Sequence, residues 1–335
     1  MSGRSSATCR AHDVTSRRGL ARLGVVLAVA VAVGTDAQQV TPRTATSFDG
    51  ARAFDHLERI VAIGPRPAGS PALRQTRAYI TRQLTAIGLT VQEQPFTVVT
   101  PIGHVEMVNL VVRLEGERAD RILLAGHYDT KLMPGAPFVG ANDGGSSAAF
   151  LIELARVLAS RPRAFTYELI WFDGEEAFCT GWTECGTPAA PDNTYGSRHY
   201  VAAARAAGVL SELRALILVD MIGDRRLEIR RDANSTPWLV DLVWDAARHL
   251  GHQRIFVDAT TTIEDDHLPF LRAGVPAVDI IDLDYPAWHT PGDTLEQVSA
   301  TSLQIVGDVV LDALPEIERR LISGTTGTTG ATGDR

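Results

Sequence analysis

Residues 121–129 read Arg-Ile-Leu-Leu-Ala-Gly-His-Tyr-Asp, and residues 167–176 read Tyr-Glu-Leu-Ile-Trp-Phe-Asp-Gly-Glu-Glu. Each is a short apolar run that ends abruptly in acids or imidazole. Between them a turn, Gly140-Ala141-Asn142-Asp143-Gly144-Gly145, opens a stretch with helical spacing over residues 145–160. Strand, helix, strand is the unit of a parallel sheet, and fully apolar strands belong where both faces are covered. Working outward, the spacing predicts helices over 49–63 and 70–87, with Asp49 and Ser70 as N-caps and Gly88 as the stop. Strands follow over 90–99 and 105–114. Beyond the core unit the pattern alternates: helix 195–207, strand 215–219, helix 237–250, helix 267–273, strand 277–281 and a long helix 295–321. The fold class expected is therefore α/β, a single domain with a mixed, largely parallel central sheet and helices on both faces. Ligands in such sheets bind beyond the carboxyl ends of the strands.

The rest of the chain sets the context. Residues 1–37 contain Arg17, Arg18 and Arg22, then an apolar or glycine run over 23–33, then Thr35-Asp36-Ala37. That is the pattern of a signal peptide, too short to span a bilayer, so export to the periplasm or medium is expected with no stable membrane anchor. Whether export uses the general or the twin-arginine route is left open by Ser16-Arg17-Arg18-Gly19-Leu20. The catalytic domain is expected over 38–322, and the Gly/Thr-rich tail 323–335 as flexible. The full chain carries a net charge of −8, and residues 1–37 hold five Arg and two Asp, so the remainder stands at −11. A chain that acidic is a poor non-specific binder of nucleic acid. Cys179 and Cys185 are close enough to bridge in an oxidising compartment, with a pair of free thiols as the alternative.

The informative feature is where His, Asp and Glu fall. His127 and Asp129, Asp143, Asp173 with Glu175 and Glu176, Asp220, and His289 each follow an apolar strand or open a turn. Singly, each has an ordinary explanation as a cap or turn residue. Together they would converge on one crevice, where a like-charged cluster needs a cation to neutralise it. His, Asp and Glu without an available thiolate suit zinc, and an open coordination position would make the site catalytic. The adjacent glutamates point in different directions, so one can ligate metal while the other carries protons.

This series resembles the zinc aminopeptidase-type exopeptidases. Within them it is most similar to the animal-type glutaminyl-peptide cyclotransferases, or glutaminyl cyclases. The narrower resemblance rests on His127-Tyr128-Asp129-Thr130-Lys131, Phe172-Asp173-Gly174-Glu175-Glu176-Ala177-Phe178, Tyr195-Gly196-Ser197-Arg198-His199, Ile263-Glu264-Asp265-Asp266-His267-Leu268-Pro269-Phe270 and Trp288-His289-Thr290. It implies one Zn2+ per chain, held by Asp143, Glu176 and His289. It implies Glu175 as general acid/base, and Asp220 and Asp265 as a hydrogen-bonded pair of acids behind it. Trp182, Tyr285 and Trp288 would form aromatic pocket walls, with His127, Asp129 and Lys131 in support. The substrates implied are peptides with N-terminal Gln, turned over by a monomer. Two departures stand out: Tyr285 where the family often has Phe, and Gly126 in place of the first of a cysteine pair. The alternatives are a di-zinc aminopeptidase, which would add His127 and Asp220 as ligands, and an inactive binding domain. Lys131 is singular, being the one lysine among 32 basic residues.

Overall fold

The computed structural model describes residues 47–326; the expected leader over 1–37, Cys9 and the end of the tail lie outside them. Helices α1 (Gly50–Val61) and α2 (Pro71–Ala86) come first. The Asp49 side chain accepts from the Ala51 and Arg52 amides, and Ser70 Oγ accepts from the Leu73 amide, so both predicted caps are made. Strands β1 (Val91–Thr100), β2 (Gly103–Leu114) and β3 (Arg118–His127) lead to helix α3 (Gly145–Ala159) and strand β4 (Phe165–Phe172). A two-residue hairpin, β5 (Gly186–Thr187) with β6 (Ala190–Pro191), precedes α4 (Tyr195–Ala206) and β7 (Leu213–Asp220). Then follow β8 (Ile229–Asp232), α5 (Pro237–His249), β9 (Phe256–Thr261), α6 (His267–Arg272), β10 (Ala277–Ile281) and α7 (Ala300–Thr326).

The central sheet has the order β1-β2-β4-β3-β7-β10. β4, β3, β7 and β10 run parallel, and β2 and β1 add an antiparallel edge. The physical reason is legible in burial. All eight residues of β4 are buried, as a strand covered on both faces requires, whereas β1 alternates and carries Pro95, which only an edge strand tolerates. One face is covered by α1, α3, α5 and α7 around Phe150, Leu151 and Trp171; the other by α4 and α6 through Tyr200, Val201 and Phe270. α3 is apolar almost all round because it is sandwiched between the sheet and α1.

Two glycines make this close packing possible. A Cβ on Gly126 would lie 2.7 Å from both Ser147 Cβ and the Val219 carbonyl oxygen, so β3 meets α3 only without a side chain there. Gly144 has φ +73°, and a Cβ on it would lie 2.2 Å from the Asp129 carbonyl oxygen and 2.9 Å from the His127 ring. The turn before α3 can thus press directly onto the end of β3.

Three expectations need correction. The last helix begins at Ala300 and not near 295, because Val298 bridges to Asp224 and the Ser299 amide donates to the Gly223 carbonyl. That pairing holds Val298 extended and separates a single 3-10 turn, Leu295–Gln297, from the helix. The helix then continues past 322 to Thr326. Strands β8 and β9, which pair parallel with each other, were not anticipated: they are short and mostly polar, without the apolar run that marks the central strands.

Candidate metal centre and catalytic cleft

The carboxyl ends of β3, β4 and β7 lie side by side. His127 ends β3, Asp220 ends β7, and the chain leaving β4 supplies Asp173, Glu175 and Glu176. The turn before α3 brings Asp143 up from the side, and the loop after β10 brings His289. Asp143, Glu176 and His289 offer ligand atoms that all lie within 4.8 Å of one another. His289 Nε2 is 3.2 Å from Glu176 Oε2 and 3.4 Å from Asp143 Oδ2. Both Glu176 carboxylate oxygens and Asp143 Oδ2 are buried without a hydrogen-bond partner. Orphaned buried carboxylate oxygens aimed at one point are costly unless a cation satisfies them, so these three residues fit a tetrahedral zinc with one open position.

A second group shares Asp143. His127 Nε2 lies 3.1 Å from Asp220 Oδ1 and 3.3 Å from Asp143 Oδ1, and this trio too is compact enough for a metal. Its contacting atoms are already engaged, however: His127 Nε2 pairs with Asp220 Oδ1, which also accepts the Met221 amide at 2.8 Å, and His127 Nδ1 alone lacks a hydrogen-bond partner. Burial would lower the pKa of His127, but the charges of Asp220 and Glu175 and contacts with Asp129 and Asp143 push it well above the ordinary histidine value.

Glu175 faces the cleft beside this group, its Oε2 3.9 Å from His127 Nδ1. Burial, with Asp265 and Glu176 nearby, raises its carboxyl well above the usual range despite the opposing influence of His127. The glutamate backbone is set by Asp129, whose two carboxylate oxygens accept the Glu175 amide at 3.2 Å and the Glu176 amide at 3.4 Å. Asp129 therefore aims the pair. Behind the cleft, burial and the charge of Asp220 push Asp265 up to about 7, and burial raises Asp220 as well. The hydrogen bond expected between them is not made: Asp265 Oδ2 has no partner, and its other oxygen accepts the Asp266 amide. Their coupling is through charge.

The cleft measures about 270 Å³ and is walled by Trp182, Trp288, Ile263 and Leu283. Trp288 stacks on the His289 ring, with centroids 4.4 Å apart. Tyr285 departs from the expectation. It is buried against Met221, Ile263 and Ile281, and its hydroxyl donates to Asp293 Oδ1 at 2.7 Å, so it buttresses the site from behind and does not line the cleft. Lys131 is buried. Its Nζ donates to the carbonyls of Ala177 (2.8 Å) and Cys179 (3.1 Å) and stands 3.9 Å from Glu176 Oε2. Cys179 and Cys185 form a disulfide in the same arm.

Two residues that hold the metal turn escaped the sequence reading. Asp293 accepts the Asn142 amide at 2.8 Å and the Asp143 amide at 3.1 Å, and Arg66, wholly buried, donates to the carbonyls of Tyr128, Val139 and Gly140. Asp293 stands four residues past His289, a spacing that could have drawn notice; Arg66 carries no such mark. Among the described residues the non-glycine positions with left-handed backbone are Thr194 (φ 48°), Met221 (φ 46°) and His289 (φ 51°), and all three border the cleft or the chamber beside it. Such conformations persist where surroundings over-determine them, and they cluster at functional sites.

Comparison with known proteins gives the family. The model of peptidase family M28 matches residues 109–314. A glutaminyl-peptide cyclotransferase-like protein of Bos taurus is 30% identical over 270 residues, covering 68% of this chain and 66% of that protein. The chain thus spans just under two thirds of that relative's length. The crystal structure of an Acidobacteriales bacterium glutaminyl cyclase superposes with a TM-score of 0.77 at 39% identity, over 84% of this chain and 98% of that one. A leucine aminopeptidase precursor of Bacteroides thetaiotaomicron gives 0.73 at 27% identity, over 81% and 98%.

Proposed function

Because the chain belongs to peptidase family M28, we propose that its cleft converts the N-terminal Gln of peptides to pyroglutamate and releases ammonia. The observation that carries this reading over peptide hydrolysis is the asymmetry between the two compact ligand groups. The Asp143–Glu176–His289 side presents three orphaned carboxylate oxygens, whereas on the other side His127 Nε2 and Asp220 Oδ1 pair directly and only His127 Nδ1 lacks a hydrogen-bond partner. One zinc per chain follows. When bound there, it would supply Lewis acidity to the γ-amide carbonyl of the substrate.

The chain's own residues do the rest. Trp182 and Trp288 enclose the glutaminyl side chain and hold its amide within reach of its own α-amine, so the ring closure is intramolecular and orientation supplies much of the rate. The α-amine nitrogen bonds to the amide carbon, and the carbon–nitrogen bond to the amide NH2 breaks. Glu175 takes the proton that the amine loses and returns it to the leaving ammonia. Its raised pKa suits a group that must both take and give a proton near neutrality. Asp220 and Asp265, two buried carboxyls too close to ionise together cheaply, hold each other to a single negative charge and so keep the floor of the cleft from accumulating more.

The competing reading, a di-zinc aminopeptidase, is favoured by the compact His127–Asp143–Asp220 group and the likeness to an aminopeptidase precursor. Elemental analysis of purified protein together with ammonia release from a Gln-initiated dipeptide separates them. One zinc with ammonia release is expected; two zincs with hydrolysis of amino-acid anilides would assign the chain to the other chemistry. Export directed by residues 1–37 is part of the proposal, and the Cys179–Cys185 disulfide accords with an oxidising compartment.

A further inference from the structure

A second chamber of about 280 Å³ opens beside the catalytic cleft and shares Trp182, Glu264 and Asp265 with it. Its other walls include Pro188, Pro191, Leu268 and Arg272. The two chambers adjoin, so whatever occupies the cleft can continue into this space. The outer wall is a built feature. The disulfide closes the 179–185 arm, Asn193 Nδ2 donates to the Trp182 carbonyl at 3.1 Å, and the Cys179 amide donates to Asp192 Oδ2 at 2.9 Å. The inner wall is equally fixed. The Ile263 amide donates to Asp232 Oδ1 at 2.9 Å and the Ile263 carbonyl accepts from Asn234 Nδ2. Yet Glu264 itself, next in the chain, is exposed and makes no ion pair among the described residues. A carboxylate held on a rigid lip, bordering both chambers and without an ion pair among the described residues, is placed for a ligand.

We infer that the part of this chamber next to the cleft is the subsite for the residue following the N-terminal Gln, and that Glu264 makes it select a cationic side chain there over an acidic one. The inference rests on the cyclase reading, since it assumes Gln in the cleft. Glu264 borders the cleft and so meets the second residue, while Arg272, one helical turn beyond Leu268, lines only the outer chamber and meets what lies further along the peptide. Trp182, Pro188 and Pro191 supply an apolar surface for the aliphatic stem of a Lys or Arg. The selectivity is modest because the carboxylate is exposed. Attraction of a cation and repulsion of an anion by one surface charge amount together to roughly a three- to tenfold difference, and salt reduces it.

The test is ammonia release from the tripeptide amides Gln-Lys-Ala and Gln-Glu-Ala by the mature protein, E264Q and E264K. The native protein should favour Gln-Lys-Ala about three- to tenfold in kcat/KM, with the difference carried by KM and diminished by added NaCl. E264Q should bring the ratio towards one, and E264K should invert it. A ratio unchanged in both variants, with ammonia still released, overturns the subsite and leaves the cyclase reading standing. No ammonia from either peptide with native protein overturns that reading and the subsite with it.

Discussion

Two buried histidines in this molecule are each surrounded by carboxylates, and they belong to different kinds of structure. His127 sits among Asp129, Asp143, Asp220 and Glu175 at the strand ends. His267 sits between Asp232, 3.2 Å from its Nε2, and Asp279, 3.6 Å from its Nδ1, with all three side chains wholly buried. By composition the clusters are alike. Both hold buried carboxylate oxygens without hydrogen-bond partners, at Asp143 and Glu176 beside the first and at Asp279 in the second, but only the first adjoins a cleft; the second is sealed. Asp232 is saturated by the amides of Ile263, Asn234 and Ser235 and by the Ser235 hydroxyl. Burial alone would raise its pKa, but the close approach of His267 and hydrogen bonds from Ser235 hold it below the usual value. Asp279, in contrast, is raised well above that value by burial and by Asp265 and Asp220. The difference teaches that a His–carboxylate cluster reads as a metal site only when its lone pairs converge on a space a ligand can enter. Otherwise it is a tie, here fixing the 263–266 segment that carries Glu264 and Asp265.

Breaking the first cluster should be the most severe change. Glu176→Gln removes a charged ligand from a triad with no spare donor. Zinc affinity should fall by more than the ~10–100-fold that follows loss of an outer partner, and turnover should fall below detection. Metal content after dialysis against a weak chelator, together with ammonia release, checks both. Full zinc occupancy with normal turnover would remove Glu176 from the metal site. Next in size is the tie. His267→Asn removes the ring that stands between the acids Asp232 and Asp279 and breaks a buried ion-pair contact, which should cost about 3–5 kcal/mol of unfolding free energy. The protein should nonetheless retain zinc at unchanged stoichiometry. Urea denaturation and metal analysis decide the matter: zinc loss with little change in stability would erase the distinction between the clusters.

A finer cut runs between neighbours in the first cluster. Glu175→Gln keeps the shape of the cleft and touches no member of the triad, so zinc should stay bound. Turnover should drop at least ~10²-fold, the scale of a positioned acid/base, equivalent to about 2.7 kcal/mol of barrier. If Glu175→Gln lost metal and Glu176→Gln kept it, the assignments of the pair would exchange.

The strand–helix alternation, both N-caps of the first two helices and the strand ends bearing the acids were legible because each rests on local pattern: apolar runs, side-chain caps, breaking glycines. The convergence of Asp143, Glu176 and His289 followed from topology, since parallel strands point their carboxyl ends the same way. What escaped depends on contacts distant in sequence. Nothing local marks Arg66 as the buried cation that gathers three carbonyls around the metal turn. The resemblance implies Tyr285 as a pocket wall, yet its hydroxyl finds Asp293 and turns the ring away from the cleft. Strands β8 and β9 have no apolar signature because they form a small separate sheet.

Lys131 gives the smallest and sharpest test of how far the functional cluster extends. It is the one lysine in the chain, and the surrounding composition shows Arg serving wherever a cation suffices. Its ammonium lies in a buried space bounded by the Ala177 and Cys179 carbonyls and by Glu176. A compact cation with rotatable donors satisfies two carbonyls and still leaves Glu176 Oε2 free for metal at 3.9 Å. A planar guanidinium is longer and carries five donors in a rigid fork, so it would displace the 177–179 segment or hydrogen-bond the ligand carboxylate directly. Either outcome turns Glu176 away from the triad without unfolding the sheet. Lys131→Arg should therefore melt near the native temperature but lose about tenfold in zinc affinity, the low end for a residue that orients a ligand, with kcat/KM on Gln dipeptides falling in parallel at limiting zinc. Native zinc affinity and native kinetics in this variant would place Lys131 outside the functional cluster, as a buried staple of the disulfide arm like the tie at His267.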